Sequence, residues 1–391
     1  MKRISLMLCL LLTAFTISFS VNAATPSTIL LPKPTGEYGV GTIAIPLADT
    51  GRDGEKYANI DKKAEHRELM IQIWYPTNRG ITGETKSYLD DVTKDYLLRD
   101  DILKNVPECL AWINSIRINS VYNAPIACDY TPSTQQLKRY PVLVFSPGLG
   151  KIYSEYQSLF EDLASHGYII VGVNHPGVSL VTVMPNGNYY TVQTDIETND
   201  VVQVLETDLR FIARQLPEID RNKTLPVNGR LDLKHLGILG HSIGGTAAFQ
   251  TCIDCPEYLA ALNFDGGPYG NGYYQKPIQK PMTLVRTDIV YDADLENIFS
   301  TLRTNIKQGY QIKVSGAIHS SFCDYPILNM PESLKSVLLA DMTINPERVV
   351  GITRDCARYF FDINLKNIYP DQMLTMTRKY PEVTLEVHNN R

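Results

Sequence analysis

Residues 236–249 constrain this chain more than any other stretch. Leu236-Gly237-Ile238-Leu239-Gly240 is an apolar run with the character of a buried strand. His241-Ser242-Ile243-Gly244-Gly245 is a glycine-rich turn, and Thr246-Ala247-Ala248-Phe249 opens a helix. A serine between a strand and a helix, inside Gly-x-Ser-x-Gly, has a physical rationale. The hydroxyl must project above a sheet from a sharp turn. The flanking glycines have no side chain to clash there, and the amide after the serine is left free to meet a developing oxyanion.

Such a turn is the nucleophile elbow of an α/β-hydrolase. The rest of the chain reads accordingly. Tyr38–Pro46 and Leu69–Pro76 are expected as the first two strands. Arg139–Ser146 is an unbroken apolar strand running into Pro147-Gly148-Leu149-Gly150, and Tyr168–Asn174 is the next. Apolar runs without alternation suit parallel strands buried on both faces. Asp195–Gln215 has helical spacing. Ala260–Phe264, Lys280–Arg286 and Tyr310–Val314 complete the strands, the last of them followed by two helices and a polar tail. The second of those helices begins at the cap Asn345 with Pro346 in its first turn, and runs to about Leu365. The expectation is one α/β domain over residues 24–391. Its central sheet is mainly parallel with helices on both faces. Residues 86–120 have helical spacing and fall before the main strands. They read either as a filler or as a helical cap over the site.

The first residues read as a targeting segment. Lys2 and Arg3 precede an apolar stretch from Leu6 to Phe19, and Val21-Asn22-Ala23 offers a cleavage site, so 1–23 is expected to be a signal peptide. Export to the periplasm or beyond follows, with no transmembrane anchor. Of the 7 cysteines, Cys9 lies in that segment. The remainder, Cys109, Cys128, Cys252, Cys255, Cys323 and Cys356, are an even set in an exported chain and suggest disulfides. Local closure would pair Cys109 with Cys128, Cys252 with Cys255 and Cys323 with Cys356. A net charge of -5 without a basic block excludes nucleic acid as an expected partner.

The partners of Ser242 follow from chain order, which in this fold is serine, acid, histidine. Of the 7 histidines only His319 and His388 lie beyond the serine. His388 sits in the tail, whereas His319 follows a strand in a glycine-containing loop, where a general base belongs. His241, adjacent to the serine, reads as structural. His175 lies in a loop beyond a strand, lining a pocket or holding that loop. The acid stays open between Asp265 and Asp288, both at strand ends. The amides of Leu149 and Ile243 are the candidate oxyanion donors.

Four segments then occur in order: Phe145-Ser146-Pro147-Gly148-Leu149-Gly150, Gly240–Gly245, Asn263-Phe264-Asp265-Gly266-Gly267-Pro268 and Gly316-Ala317-Ile318-His319-Ser320-Ser321-Phe322. Together they resemble the platelet-activating factor acetylhydrolase isoform II family, in particular its bacterial members, over most of residues 38–365. Tyr122–Pro125, Asn174-His175-Pro176 and Asp208-Leu209-Arg210-Phe211 are supporting matches. Pro147 stands where many members have histidine, and 86–120 matches poorly. The resemblance implies Asp265 as the acid and Leu149 and Ile243 as the donors. It implies a serine esterase without metal or organic cofactor, acting on short-chain acyl esters or phospholipid acyl groups with transient contact to lipid surfaces. A lipase, acyltransferase or amidase would use the same triad, and a non-catalytic binding protein could share the scaffold.

Overall fold

The computed structural model describes residues 28–99, 108–131, 135–193, 195–290, 292–369 and 371–389. The expected signal peptide lies outside these residues. Among them, the main sheet has ten strands: β1 (Gly39–Asp53), β2 (His66–Thr77), β3 (Val121–Tyr122), β4 (Tyr140–Ser146), β5 (Ile169–Asn174), β6 (Leu231–His241), β7 (Tyr258–Phe264), β8 (Met282–Thr287), β9 (Gln308–Val314) and β10 (Val383–Asn389). Their order across the sheet is β10-β9-β8-β7-β6-β4-β5-β2-β1-β3. The strands β5, β4, β6, β7, β8 and β9 pair in parallel. The β1–β2 hairpin joins antiparallel to β5 on one side, and β10 joins antiparallel to β9 on the other.

The unbroken apolar runs are explained by burial on both faces. In β4, Val142 and Val144 face one core while Leu143 and Phe145 face the other. The first face is covered by α4 (Thr198–Arg221) through Val201, Leu205, Leu209 and Ile212, and by α5 (Ile243–Asp254) through Ala247 and Phe249. The opposite face is covered by α3 (Gln157–Ser165) and, after α6 (Ala293–Asn305) and α7 (Glu332–Leu338) in the chain, by α8 (Pro346–Leu365), through Leu159, Phe160, Ile352 and Phe360. The α8 start is the one expected: the Asn345 side chain accepts from the amides of Glu347 at 2.9 Å and Arg348 at 3.2 Å.

Two departures from the expected elements have clear causes. The polar tail contains β10, in which Val383, Leu385 and Val387 alternate with polar residues. A strand on a sheet edge needs only one apolar face, so its signal is weak beside the continuous runs of the interior. In the 86–120 region α1 (Asp91–Arg99) and α2 (Glu108–Ser115) are helices, and the second ends at Ser115 because Ile116-Arg117 pairs with Ile29-Leu30. Residues 100–107 lie outside the described set. This region forms a third core with Ile152, Val181, Leu328 and Met330.

The expected disulfides are corrected: all six described cysteines are free thiols. Cys252, in the last turn of α5, directs its Sγ at the Tyr258 carbonyl at 3.7 Å. Cys255 instead donates to Glu257 Oε2 at 2.9 Å, so this pair diverges. Cys109 is buried in the third core, whereas Cys128 is exposed. Cys323 and Cys356 are buried in the α3–α8 core, and Cys323 donates to the Ser320 carbonyl at 3.1 Å. Burial pushes the Cys323 thiol up to about 12, so it packs as a neutral small hydrophobe.

Two outcomes follow. Titration of the unfolded, unreduced protein should return thiol at all six positions; a deficit of two or more would contradict this arrangement. Phe160 lies 4.7 Å from Trp74 and 4.8 Å from Phe145, ring to ring. Phe160→Ala should lower unfolding free energy by about 3–5 kcal/mol in a denaturant titration.

Candidate active site

Ser242, Asp265, His319 and Leu149 all sit beyond the carboxyl ends of parallel strands: β6, β7, β9 and β4 respectively. That is where open α/β sheets place their ligands. Ser242 has φ 56° and ψ -132°, a backbone state costing a non-glycine residue on the order of 1–3 kcal/mol. The surroundings hold it there. Its amide donates to the Phe264 carbonyl at 2.8 Å, and its own carbonyl accepts from Gly245 at 2.9 Å and Thr246 at 3.1 Å. Gly244 is required by close approach: a Cβ there would lie 2.3 Å from the carbonyl oxygens of Ser146 and Pro147. The elbow and the loop beyond β4 therefore touch backbone to backbone.

Asp265 also takes a left-handed backbone, φ 53°. Its amide donates to Val285 O at 2.7 Å, which turns the side chain across the strand ends. Asp265 Oδ1 accepts from the Thr287 amide at 3.1 Å, and Oδ2 lies 2.7 Å from His319 Nδ1. A carboxylate only accepts, so His319 Nδ1 carries the proton and Nε2 of the neutral ring is an acceptor. The Asp265 side chain is 2% exposed and that of His319 46%, so a buried acid orients a base that faces solvent. Asp288 is exposed and accepts from Ser315 Oγ at 2.8 Å instead. The choice left open by strand ends is thus decided by contact: Asp265, and not Asp288, meets His319.

Among the described residues the Ser242 hydroxyl makes no hydrogen bond, and neither the Leu149 nor the Ile243 amide has a protein acceptor. Nucleophile and base commonly close up only when substrate binds. The Leu149 amide belongs to the loop beyond β4 and the Ile243 amide to the elbow packed against that loop.

Two residues beside the site were not legible as partners. His241 Nε2 lies 3.0 Å from the His319 carbonyl and so donates to it, while Nδ1 accepts from Tyr156 Oη at 2.9 Å. Burial pushes His241 well below the usual imidazole range, and the nearby His319 and Lys151 act in the same direction. A neutral ring thereby stacks 4.5 Å from the His319 ring. Asp324 is fully buried five residues beyond His319. It accepts from the Ser158 amide at 3.2 Å and from Tyr88 Oη at 3.1 Å, tying the loop of His319 to the segment before α1. Their partners are more than 60 residues away in sequence, so spacing held no signal of them. Among the described residues no group of three His, Cys, Asp or Glu side chains is placed to hold a metal, and no helix is long and apolar enough to cross a membrane.

Residues 219–371 match the family model described as platelet-activating factor acetylhydrolase, isoform II, and residues 116–265 match that of chlorophyllase. Platelet-activating factor acetylhydrolase of Cavia porcellus is 22% identical over 323 residues, 75% of this chain and 69% of that protein. A probable 1-alkyl-2-acetylglycerophosphocholine esterase of Arthroderma benhamiae is 26% identical over 255 residues, 64% of this chain and 62% of that one. This chain is similar to the platelet-activating factor acetylhydrolase II-like α/β-hydrolases. It is a carboxylic ester hydrolase. A solved ferulic acid esterase from Streptomyces cinnamoneus superposes on this hydrolase with TM-score 0.72. It covers 92% of this chain and 99% of its own, at 23% identity, which shows the shared fold.

The buried Asp324 makes stability depend on pH in this hydrolase. Burial raises its carboxyl from an ordinary 3.8 to about 7, so the folded state binds the proton more tightly than the unfolded one. Stability from this group is full below about 3.8 and is lost as pH rises to about 7. Asp324→Asn should flatten the stability profile across that window; an unchanged slope in thermal unfolding would contradict it.

Proposed function

We propose that this hydrolase cleaves short-chain carboxylic esters, including acyl groups on glycerophospholipids, through an acyl-enzyme on Ser242. The reading rests chiefly on one observation: the 2.7 Å contact of His319 Nδ1 with buried Asp265, beside a serine held in a strained elbow. His319 Nε2 takes the proton from Ser242 Oγ as that oxygen attacks the ester carbonyl carbon. Asp265 holds the imidazole in the required tautomer and stabilises its charged form. The amides of Leu149 and Ile243 receive the oxyanion, each lowering the barrier by a few kcal/mol, on the order of 3. As the tetrahedral intermediate collapses, the C–O bond to the alcohol breaks and His319 returns the proton to the leaving oxygen. Water, deprotonated by the same imidazole, then releases the acid and frees Ser242.

The substrate class is supported by the names of the relatives, which include acetylhydrolase and acetylglycerophosphocholine esterase. The third core beside Ile152 and Leu328 supports residues 86–120 as a cap over the acyl pocket. The sequence of 1–23 supports a cleaved signal and work in the periplasm or outside the cell.

Ser242→Ala should abolish both fluorophosphonate labelling and hydrolysis of a p-nitrophenyl ester of short chain; retained turnover would remove Ser242 from the mechanism. Asp265→Asn should lower kcat by about 10³–10⁴-fold, since it presents the wrong imidazole tautomer. Asp288→Asn should leave kcat within a few-fold. The reverse order of losses would assign the acid to Asp288.

A further inference from the structure

A second serine–histidine–aspartate chain lies behind the first, wholly out of solvent. Ser146 is the last residue of β4, and its Oγ is 3.1 Å from His175 Nε2. His175 Nδ1 is 2.9 Å from Asp208 Oδ2, on α4. Ser146, His175 and Asp208 are each 0% exposed. Asp208 also receives Arg67, with Nη2 at 2.6 Å and Nε at 3.2 Å. Burial works against its charge, but Arg67 and His175 hold the Asp208 carboxyl below the usual carboxylate range. Burial likewise pushes His175 below the usual imidazole value, against the pull of Asp208. With the His175 Nδ1 proton on the Asp208 side, its Nε2 accepts from the Ser146 hydroxyl. No substrate reaches Ser146, so this chain is not a second nucleophile.

Its position is the informative part. Ser146 opens the loop Pro147-Gly148-Leu149-Gly150, which holds the Leu149 amide. The other end of that loop is tied to the same anchor: the Gly150 amide donates to Val178 O at 2.9 Å. Val178 and Ser179 in turn donate to the His175 carbonyl at 3.0 and 2.8 Å, and Ser179 Oγ accepts from the His175 amide at 2.9 Å. One compact turn, 175–179, thus grips the loop on both sides of Leu149. Gly148 is the point of contact with the nucleophile, since a Cβ there would lie 3.1 Å from Ser242 Cβ. A shift of the loop would therefore move an oxyanion donor relative to the serine.

We propose that Asp208, His175 and Ser146 form a positioning relay that fixes the Leu149 amide for the oxyanion, acting on the reaction without touching substrate. This rests on the ester hydrolysis at Ser242 proposed above. The role differs from general core support. A structural network would change the fraction of folded enzyme, whereas a positioning relay changes the transition state formed by each folded molecule.

The test compares Ser146→Ala and Ser146→Cys with the wild-type enzyme, with activity counted per active site titrated by fluorophosphonate. Removing one oxyanion donor outright costs about 10²–10³-fold in kcat, so loosening one should cost about 10–100-fold. KM should stay within about two-fold. The inhibition constant of an alkylboronic acid, which adds to the serine oxygen as a tetrahedral mimic, should rise in step with the loss of kcat. Cysteine, a weaker donor, should fall between serine and alanine. Independently of turnover, amide hydrogen exchange over 146–150 should quicken by about ten-fold in Ser146→Ala, with β10 unchanged. The relay is overturned if kcat per titrated site stays within two-fold in both variants. It is also overturned if kcat falls while boronate affinity and exchange over 146–150 do not move. Counting per titrated site keeps a partly unfolded variant informative, and the cysteine variant serves if alanine does not fold. Labelling of the Ser242→Ala enzyme would count against the esterase reading alone, because the exchange measurement tests the relay without it.

Discussion

The Ser242 hydroxyl stands clear of the sheet because three stretches of backbone are packed against one another without side chains between them. The elbow meets the loop beyond β4 at Gly244, and it meets the loop beyond β7 through the Ser242 amide and Phe264 carbonyl. A strained φ of 56° persists at the serine because both neighbours are pinned. Everything in the proposed chemistry depends on this close approach. It packs the loop that carries Leu149 against the elbow that carries Ile243, and it places Asp265 one strand over from the serine, within reach of His319.

Charge is distributed around that point in layers. The outer layer is His319, half exposed and oriented by a buried carboxylate. Behind it His241 is held neutral by burial and donates a hydrogen bond from Nε2 to the His319 carbonyl. A neutral ring is the suitable neighbour for an imidazole that becomes cationic in each proposed acyl transfer, since a second charge 4.5 Å away in a low dielectric would oppose that step. Deeper still, Asp208 keeps its charge because Arg67 and His175 satisfy it. Fixed polar groups in a dry setting need not reorganise during reaction, which is the basis of electrostatic preorganisation.

The described residues of 86–120 also contact the stretch that follows His319. Trp112 Nε1 donates to the Leu328 carbonyl at 2.7 Å and Tyr88 to Asp324 at 3.1 Å, both in the stretch that follows His319. The loop carrying the proposed base is therefore held from the sheet side by His241 and from the other side by this region. Its third core shares Ile152 with the chain leaving the loop of Leu149, so both loops border on one apolar cluster.

Local pattern alone determined the parallel core, the elbow and the proposed base. Those signals are short-range: apolar runs for doubly buried strands, glycines where backbone must touch backbone, and a scarcity of histidines after Ser242. The acid was different. Asp265 and Asp288 both end strands, so local pattern left them open; the resemblance implied Asp265, and tertiary structure supplies the contact, because a left-handed turn at Asp265 aims its carboxylate at His319 while Asp288 turns to Ser315. The same holds for the cysteines. Their even number suggested pairs, yet pairing depends on the direction of each Sγ in space, and these thiols point to separate partners. It holds too for Ser146, His175 and Asp208, which come together from β4, the loop beyond β5 and α4. A sequence records which residues are present and at what local period. Contacts across dozens of residues exist only once the sheet has closed, and those contacts decide which of several plausible groups touch.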